Sequence, residues 1–216
     1  MERAPVSAQS NTDVLFHDGL GERRLVRDAT GVVRELLCLR ADLANVPAFE
    51  FALRERVSRL TAFRHPFFVP IRSVERLADA AHPLGVVSER FNGIRLPQLL
   101  ATAQQRSIRL DIDAVVFLLR QIFPAVVRFH VANRDVAHGA LSAERVMFAA
   151  NGRLMVMEYA LAAALDQLRL SQSRYWTELR IAVPDSGPRF DQRADVTQMA
   201  LLAMALILGR SLRDDE

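Results

Sequence analysis

The apolar residues of this 216-residue chain change their period part-way along it, and that change limits the folds open to it. Over residues 14–40 the pattern is short and strand-like, punctuated by Gly19, Gly21 and Gly31, and Glu35-Leu36-Leu37-Cys38-Leu39-Arg40 reads as a buried strand. Over 48–64 the residues Phe51, Leu53, Val57, Leu60 and Phe63 predict the stripe of an amphipathic helix, which His65-Pro66 ends. Strand candidates at 68–73 and 84–88 precede an Asn92-Gly93 turn. Beyond it the long periodic segments are helical: 96–104, 112–132 with a kink expected at Pro124, and 195–208. The last is apolar almost all round, which predicts a helix buried in the centre of its surroundings. Strands come early and helices late, so the expected class is α+β.

The chain contains no lysine; all 28 of its basic residues are arginine. Mechanisms that need a primary amine, such as a Schiff base or a lysine phosphate clamp, have no residue to supply it. Net charge is only +3 and the arginines are scattered among acids, so a mixed solvated surface is expected rather than a groove for nucleic acid. The single cysteine, Cys38, excludes an intrachain disulfide and a cysteine metal cluster, and points to a small core residue in a reducing cytoplasm. Residues 1–13 are polar, read as a disordered tail and lack the apolar stretch of a secretory leader; the most apolar run, 199–208, is half the length a bilayer needs. Neither export nor membrane insertion is expected.

Taken in order, the segments carry a series of motifs. Val136-Ala137-His138-Gly139-Ala140-Leu141-Ser142-Ala143-Glu144-Arg145-Val146 resembles the catalytic loop H-R-D-L-x-x-x-N of protein kinases. Glu158-Tyr159-Ala160 stands where that family has D-F-G, and Phe190-Asp191-Gln192-Arg193-Ala194-Asp195-Val196 resembles the entry to its central helix. Upstream, Gly19-Leu20-Gly21-Glu22-Arg23-Arg24 resembles the glycine-rich loop with Arg24 in place of the third glycine. Leu37-Cys38-Leu39-Arg40 resembles V-A-I-K, and Val86-Val87-Ser88-Glu89-Arg90-Phe91 a strand running into the hinge. The resemblance implies a bilobal fold: a β-rich small lobe with one helix over 14–91, and a mainly helical lobe over 92–216 that stops after the central helix.

Phosphoryl transfer in that family rests on a lysine at the phosphates, carboxylate and amide ligands for magnesium, and an aspartate that accepts the hydroxyl proton. The resemblance aligns these roles with Arg40, Glu158, Arg145 and Ala140. Alanine accepts no proton, and an arginine in a metal-ligand position repels the ion. Asp135, in Asn133-Arg134-Asp135, reads as a turn residue. The positions the family uses as scaffold, Leu60, His138, Tyr159 and Asp195, keep suitable side chains. The expected function is therefore that of a catalytically inactive pseudokinase, without cofactor, that engages another protein or another domain. One alternative is a metal-independent ATP sensor whose vestigial cleft holds Gly19, Gly21, Arg24, Cys38, Arg40, Glu89 and Phe91. A second is an active Ser/Thr kinase-type transferase working through Glu158 or Asp135.

Overall fold

The computed structural model describes residues 14–184 and 189–213; the tail expected over 1–13 lies outside them. The chain divides into two compact units. The first holds the residues through Phe63, Val69–Phe91 and Ala163–Arg169; the second holds Arg64–Phe68, Asn92–Ala162 and the residues from Leu170 on.

The first unit is built on a five-stranded antiparallel sheet: β1 (Val14–Asp18), β2 (Gly21–Arg27), β3 (Val33–Leu39), β4 (Ile71–Arg76) and β5 (Leu84–Glu89), in the order β1-β2-β3-β5-β4. As the central strand, β3 loses the alternation of a half-exposed strand, and Glu35 through Leu39 are all buried. A short helix α1 (Ala41–Ala44) leads into α2 (Pro47–Leu60), which has proline at its first position, where no N–H is needed, and packs on β4. The buried face of α2 is Phe49, Leu53, Val57 and Leu60, at helical steps of four, four and three. Phe51 was expected on this stripe, yet it is 76% exposed: two residues from both Phe49 and Leu53, it points about 200° away around the helix. The strand expected at 68–73 begins only at Ile71, and Phe68 instead bridges to Val156 within the second unit.

The second unit begins with β6 (Ile94–Arg95), α3 (Leu96–Gln105) and α4 (Ile112–Ala132). A 3-10 turn, Ala143–Arg145, then leads into the hairpin β7 (Val146–Phe148) and β8 (Leu154–Val156). Next comes α5 (Ala162–Gln167), all but its first residue grouping with the first unit, and then α6 (Gln172–Leu179) and α7 (Gln192–Leu208). Asp111 caps α4, its side chain accepting from Ala114 N, and the helix is continuous through Pro124 rather than interrupted there. The α7 helix is not buried all round. Its Ala194, Gln198, Leu202, Ala205 and Leu206 are covered, while Val196 and Ile207 are 58% and 60% exposed, because α4 covers one side of it. Helix α6 carried no sequence signal strong enough to predict it: only Tyr175 and Leu179 of its eight residues are buried.

The joint of this unit is the fully buried Asp195. Its Oδ2 accepts from the backbone N–H of His138 at 2.7 Å, its Oδ1 from that of Gly139 at 2.8 Å, and Oδ2 also meets His130 Nε2 at 2.8 Å. The ring of His138 is buried beside it. Nε2 lies 2.9 Å from the Met157 carbonyl and donates to it, and Nδ1 accepts from Ala140 N at 3.3 Å. Both contacts suit the neutral imidazole. A carbonyl takes the one proton, and the other nitrogen must keep its lone pair for an amide.

Two predictions follow from these packings. Leu53→Ala should cost about 2 to 5 kcal/mol in urea-induced unfolding and Phe51→Ala less than about 0.5, a difference that checks the face assignment of α2. Burial holds the His138 imidazole below its ordinary range, so the folded state binds its proton less well than the unfolded chain does. Stability is then fully present above about pH 6.5 and falls as pH drops below it, by up to about 1.4 kcal/mol per pH unit. Melting curves from pH 8 to 5.5 should show this slope in the wild type and a shallower one in His138→Gln.

Candidate functional site

The turn between β1 and β2 is only two residues long, Gly19-Leu20, because Asp18 already pairs with Gly21. Gly21 and Arg24, which the motif would place in a loop over phosphates, are ladder residues of β2. The turn is tied down on every side. Leu20 N donates to Asp18 Oδ1 at 2.9 Å, and Leu20 O accepts from Arg40 N at 3.0 Å. Leu20 itself is fully buried. Arg23, also fully buried, pairs with the Asp18 carboxylate and donates to Gly21 O at 3.0 Å. Gly21 has φ +141°, and a Cβ there would stand 2.0 Å from the Cys38 carbonyl oxygen, so its close approach is to the chain's own backbone.

The other cleft candidates of this unit are engaged locally. Arg40 pairs with Asp42 at 2.5 Å and Arg24 with Glu22 at 2.6 Å. Glu89 pairs with Arg72, and Arg34 lies 3.9 Å from it. Burial pushes the Cys38 thiol up to about 11, so it is an un-ionised core group. Phe91 is half-buried just past β5, and Leu60 is fully buried at the end of α2.

In the second unit the loop Val136–Ala143 is buried throughout. Ala140, at the position of the proton-accepting aspartate, has no exposed surface. Gly139, at the position of the family's loop arginine, has φ +74°, and a Cβ there would come within 2.3 Å of Ala162 Cβ. Asp135 is exposed in the preceding turn. Tyr159 is fully buried, edge-on to Phe68 (5.2 Å between centroids) and Phe129 (5.5 Å), which stack on one another at 5.3 Å.

Strand pairing brings the two remaining positions together. Val146 pairs with Val156 and Met157 N donates to Arg145 O at 2.9 Å, so Arg145 and Glu158 lie at the open end of one hairpin, opposite its Asn151-Gly152 turn. The fully buried Arg145 guanidinium lies 3.5 Å from Glu158 Oε2, and Arg95, 3% exposed, lies 3.4 Å from Glu158 Oε1. Arg145 also reaches Ser142 Oγ at 3.0 Å and Glu144 Oε2 at 3.6 Å, while Arg95 donates to the Glu144 carbonyl at 2.6 Å. The result is a chain of alternating charge, Arg95, Glu158, Arg145, Glu144, that sums to zero within itself. Glu158 is held at φ +59°, a left-handed conformation costly for a side chain with Cβ. Sequence motifs identified Arg145 and Glu158 but missed Arg95 and Glu144. Arg95 lies 63 positions before Glu158, and its only local signal is the start of α3, where its N–H donates to Gln98 Oε1.

These residues do not fit magnesium, the ion this arrangement would hold in a phosphotransferase. Each oxygen of the one carboxylate at the position already faces a buried guanidinium, and a divalent ion would have to displace both. Among the described residues no cluster of three or more His, Cys, Asp or Glu has the geometry to hold a metal, and no helix is long and apolar enough to cross a membrane.

No protein-family model matches the chain. Curated relatives do: a serine/threonine-protein kinase PknB of Mycobacterium leprae is 25% identical over 208 residues, 91% of this chain and 32% of that protein. A probable serine/threonine-protein kinase of Streptomyces coelicolor is 24% identical over 178 residues, 80% of this chain and 26% of that protein. The chain thus spans about a third or less of the length of the curated relatives it matches. Among solved structures, the PknI kinase domain of Mycobacterium tuberculosis superposes with a TM-score of 0.71 at 17% identity, covering all of this chain and 80% of that one. The maize SIRK1 kinase domain, bound to AMP-PNP, superposes with a TM-score of 0.71 at 15% identity over 93% of this chain. An antiparallel-sheet unit followed by a mainly helical one, matched to kinase domains in structure and similar to bacterial kinases in sequence, gives the chain a protein kinase-like α+β fold.

Proposed function

We propose that this chain is a pseudokinase: a kinase-like domain that transfers no phosphate and serves as a binding or regulatory module for another protein or another domain. The observation that carries the reading is Arg145. A buried guanidinium stands where a magnesium ligand is required, 3.5 Å from the carboxylate that would share the metal. A fixed internal cation neutralises Glu158 without any ion from solution. The loss of the proton acceptor at the fully buried Ala140 acts in the same direction, since a general base alone contributes about 10²- to 10⁴-fold. The absence of lysine removes the phosphate clamp. The named relatives are serine/threonine kinases, and the departures at Ala140, Arg145 and Arg40 are what separate this chain from that activity.

The tied turn at Gly19-Leu20 favours the module reading over nucleotide sensing. The N–H of Leu20 is already bonded to Asp18, and the approach that Gly21 permits is taken by Cys38.

Two measurements test the proposal. Incubation with radiolabelled γ-phosphate ATP and a general acceptor protein, with magnesium or manganese, should give no incorporation above that of Glu158→Ala; incorporation that Glu158→Ala abolishes would overturn it. A thermal-shift titration with ATP should be flat with and without magnesium, and a metal-independent shift lost in Arg40→Ala would establish the sensor instead. The charge chain gives a separate prediction. Arg145→Met, which leaves Glu158 with Arg95 as its guanidinium partner, should destabilise the domain by about 1 to 3 kcal/mol in urea-induced unfolding, and Glu158→Met, which takes the shared carboxylate from two buried guanidinium groups, by about 3 to 5 kcal/mol.

A further inference from the structure

Two asparagines of the chain, Asn92 and Asn151, are followed by glycine. In such a pair the main-chain nitrogen of the glycine can reach the preceding side-chain amide most easily, because glycine has no Cβ to hinder the approach or to restrict the backbone. Asparagine is a heat-labile residue through this reaction. The other asparagines among the described residues, Asn45 and Asn133, precede Val46 and Arg134, whose side chains crowd the same approach.

The fold treats the two pairs differently. Asn151-Gly152 closes the β7–β8 hairpin. There Gly152 N donates to the Ala149 carbonyl at 2.9 Å, Asn151 Oδ1 accepts from Arg153 N at 3.1 Å, and the Gly152 carbonyl accepts from Gln121 Nε2 at 3.2 Å. The nitrogen and the side-chain amide that would have to meet are each held on another partner. Asn92-Gly93 opens the second unit just ahead of β6, and both residues are exposed. Neither the Gly93 N–H nor the Asn92 side chain has a hydrogen-bond partner among the described residues. The turn that the sequence suggests at this pair is not closed by a hydrogen bond, so nothing in the fold holds the two groups apart.

We propose that Asn92 is a site of spontaneous covalent modification, deamidation to aspartyl and isoaspartyl forms, and that the isoaspartyl form disturbs the strand that carries Arg95. The Gly93 nitrogen gives its proton to hydroxide and attacks Asn92 Cγ. The N–Cγ bond forms, the Cγ–Nδ2 bond breaks, and ammonia leaves with a proton taken from water. One water molecule then opens the cyclic imide. Cleavage of the N–Cγ bond gives aspartate; cleavage between that nitrogen and the main-chain carbonyl carbon of residue 92 leaves the chain running through Cβ and Cγ, one backbone atom longer. No enzyme, metal or oxidant enters the balance. The added atom comes just ahead of Ile94, which pairs with Phe148, and Arg95, which pairs with Met147, donates to the Glu144 carbonyl and faces Glu158. The reaction depends on this local geometry alone and is independent of whether the domain transfers phosphate.

The test incubates the whole chain in mildly alkaline and in mildly acidic buffer and follows its tryptic peptides by mass spectrometry. Cleavage after arginine separates the two pairs into peptides 91–95 and 146–153. Peptide 91–95 should gain the mass difference between an amide and a carboxylic acid at least about tenfold faster than peptide 146–153, and faster in the alkaline buffer. It should also split into two chromatographic forms, aspartyl and isoaspartyl. Gly93→Ala should slow the change at residue 92 and leave that at 151 as it was. In guanidinium chloride, where the hairpin bonds are lost, the two peptides should react at similar rates. Equal rates in the native protein, or a change indifferent to Gly93→Ala, would overturn the site; a preference for residue 92 that persists in denaturant would overturn its assignment to the fold. Deamidated wild type, separated by ion exchange, should melt at a lower temperature than Asn92→Asp, which carries the same charge on a backbone of normal length. Equal melting would overturn the effect on β6.

Discussion

Taking a carboxylate out of water is unfavourable by several kcal/mol unless protein groups replace its hydration, and Asp195 is fully buried. Two backbone amides and an imidazole replace it. Because those amides belong to His138 and Gly139, the same bonds fix the buried loop that follows, and His138 then reaches across to the Met157 carbonyl, one residue before Glu158. The positions of Ala140, Arg145 and Glu158 therefore trace back to a single side chain at the first turn of α7. The helix anchors the loop through Asp195, and the His138 ring passes that support on to the hairpin.

That support now frames a site whose charges cancel internally. Breaking one member of a buried ion-pair chain leaves a partner uncompensated, whereas the intact chain adds little net stability over apolar residues of similar volume. The four charges Arg95, Glu158, Arg145 and Glu144 are better understood as fixing one arrangement of this region than as strengthening it. They hold Glu158 in a left-handed backbone conformation that an isolated glutamate would avoid. Under the proposed reading, an arrangement that needs no nucleotide or metal to form suits a module that presents the same surface continuously.

Much of this was legible in the residues. Long periodic helices and a buried central strand declared themselves: the 112–132 pattern became α4 with the same bounds, and 84–88 became β5 with one residue more. What failed did so for physical reasons. Phe51 looked like part of a stripe because hydrophobicity was counted before helical angle, and Phe49, two residues earlier, occupies the core in its place. The last helix looked buried all round because composition does not say which sides have a neighbour. Motif order located Ala140, Arg145 and Glu158, but Arg95 and Glu144 enter the charge chain only through tertiary contact, and the tight Gly19-Leu20 turn depends on the register of β1 against β2.

Gly139 limits what side chain this loop can accept. With φ +74° and Ala162 where any Cβ would project, the position accepts neither the arginine of an H-R-D loop nor any other side chain while α5 begins as it does. An arginine there would require Ala162 to move, and moving Ala162 alone would open a gap against a glycine that offers nothing to fill it. Each change is unfavourable without the other, so residues 139 and 162 are coupled as a pair, independently of the residues at 140 and 145.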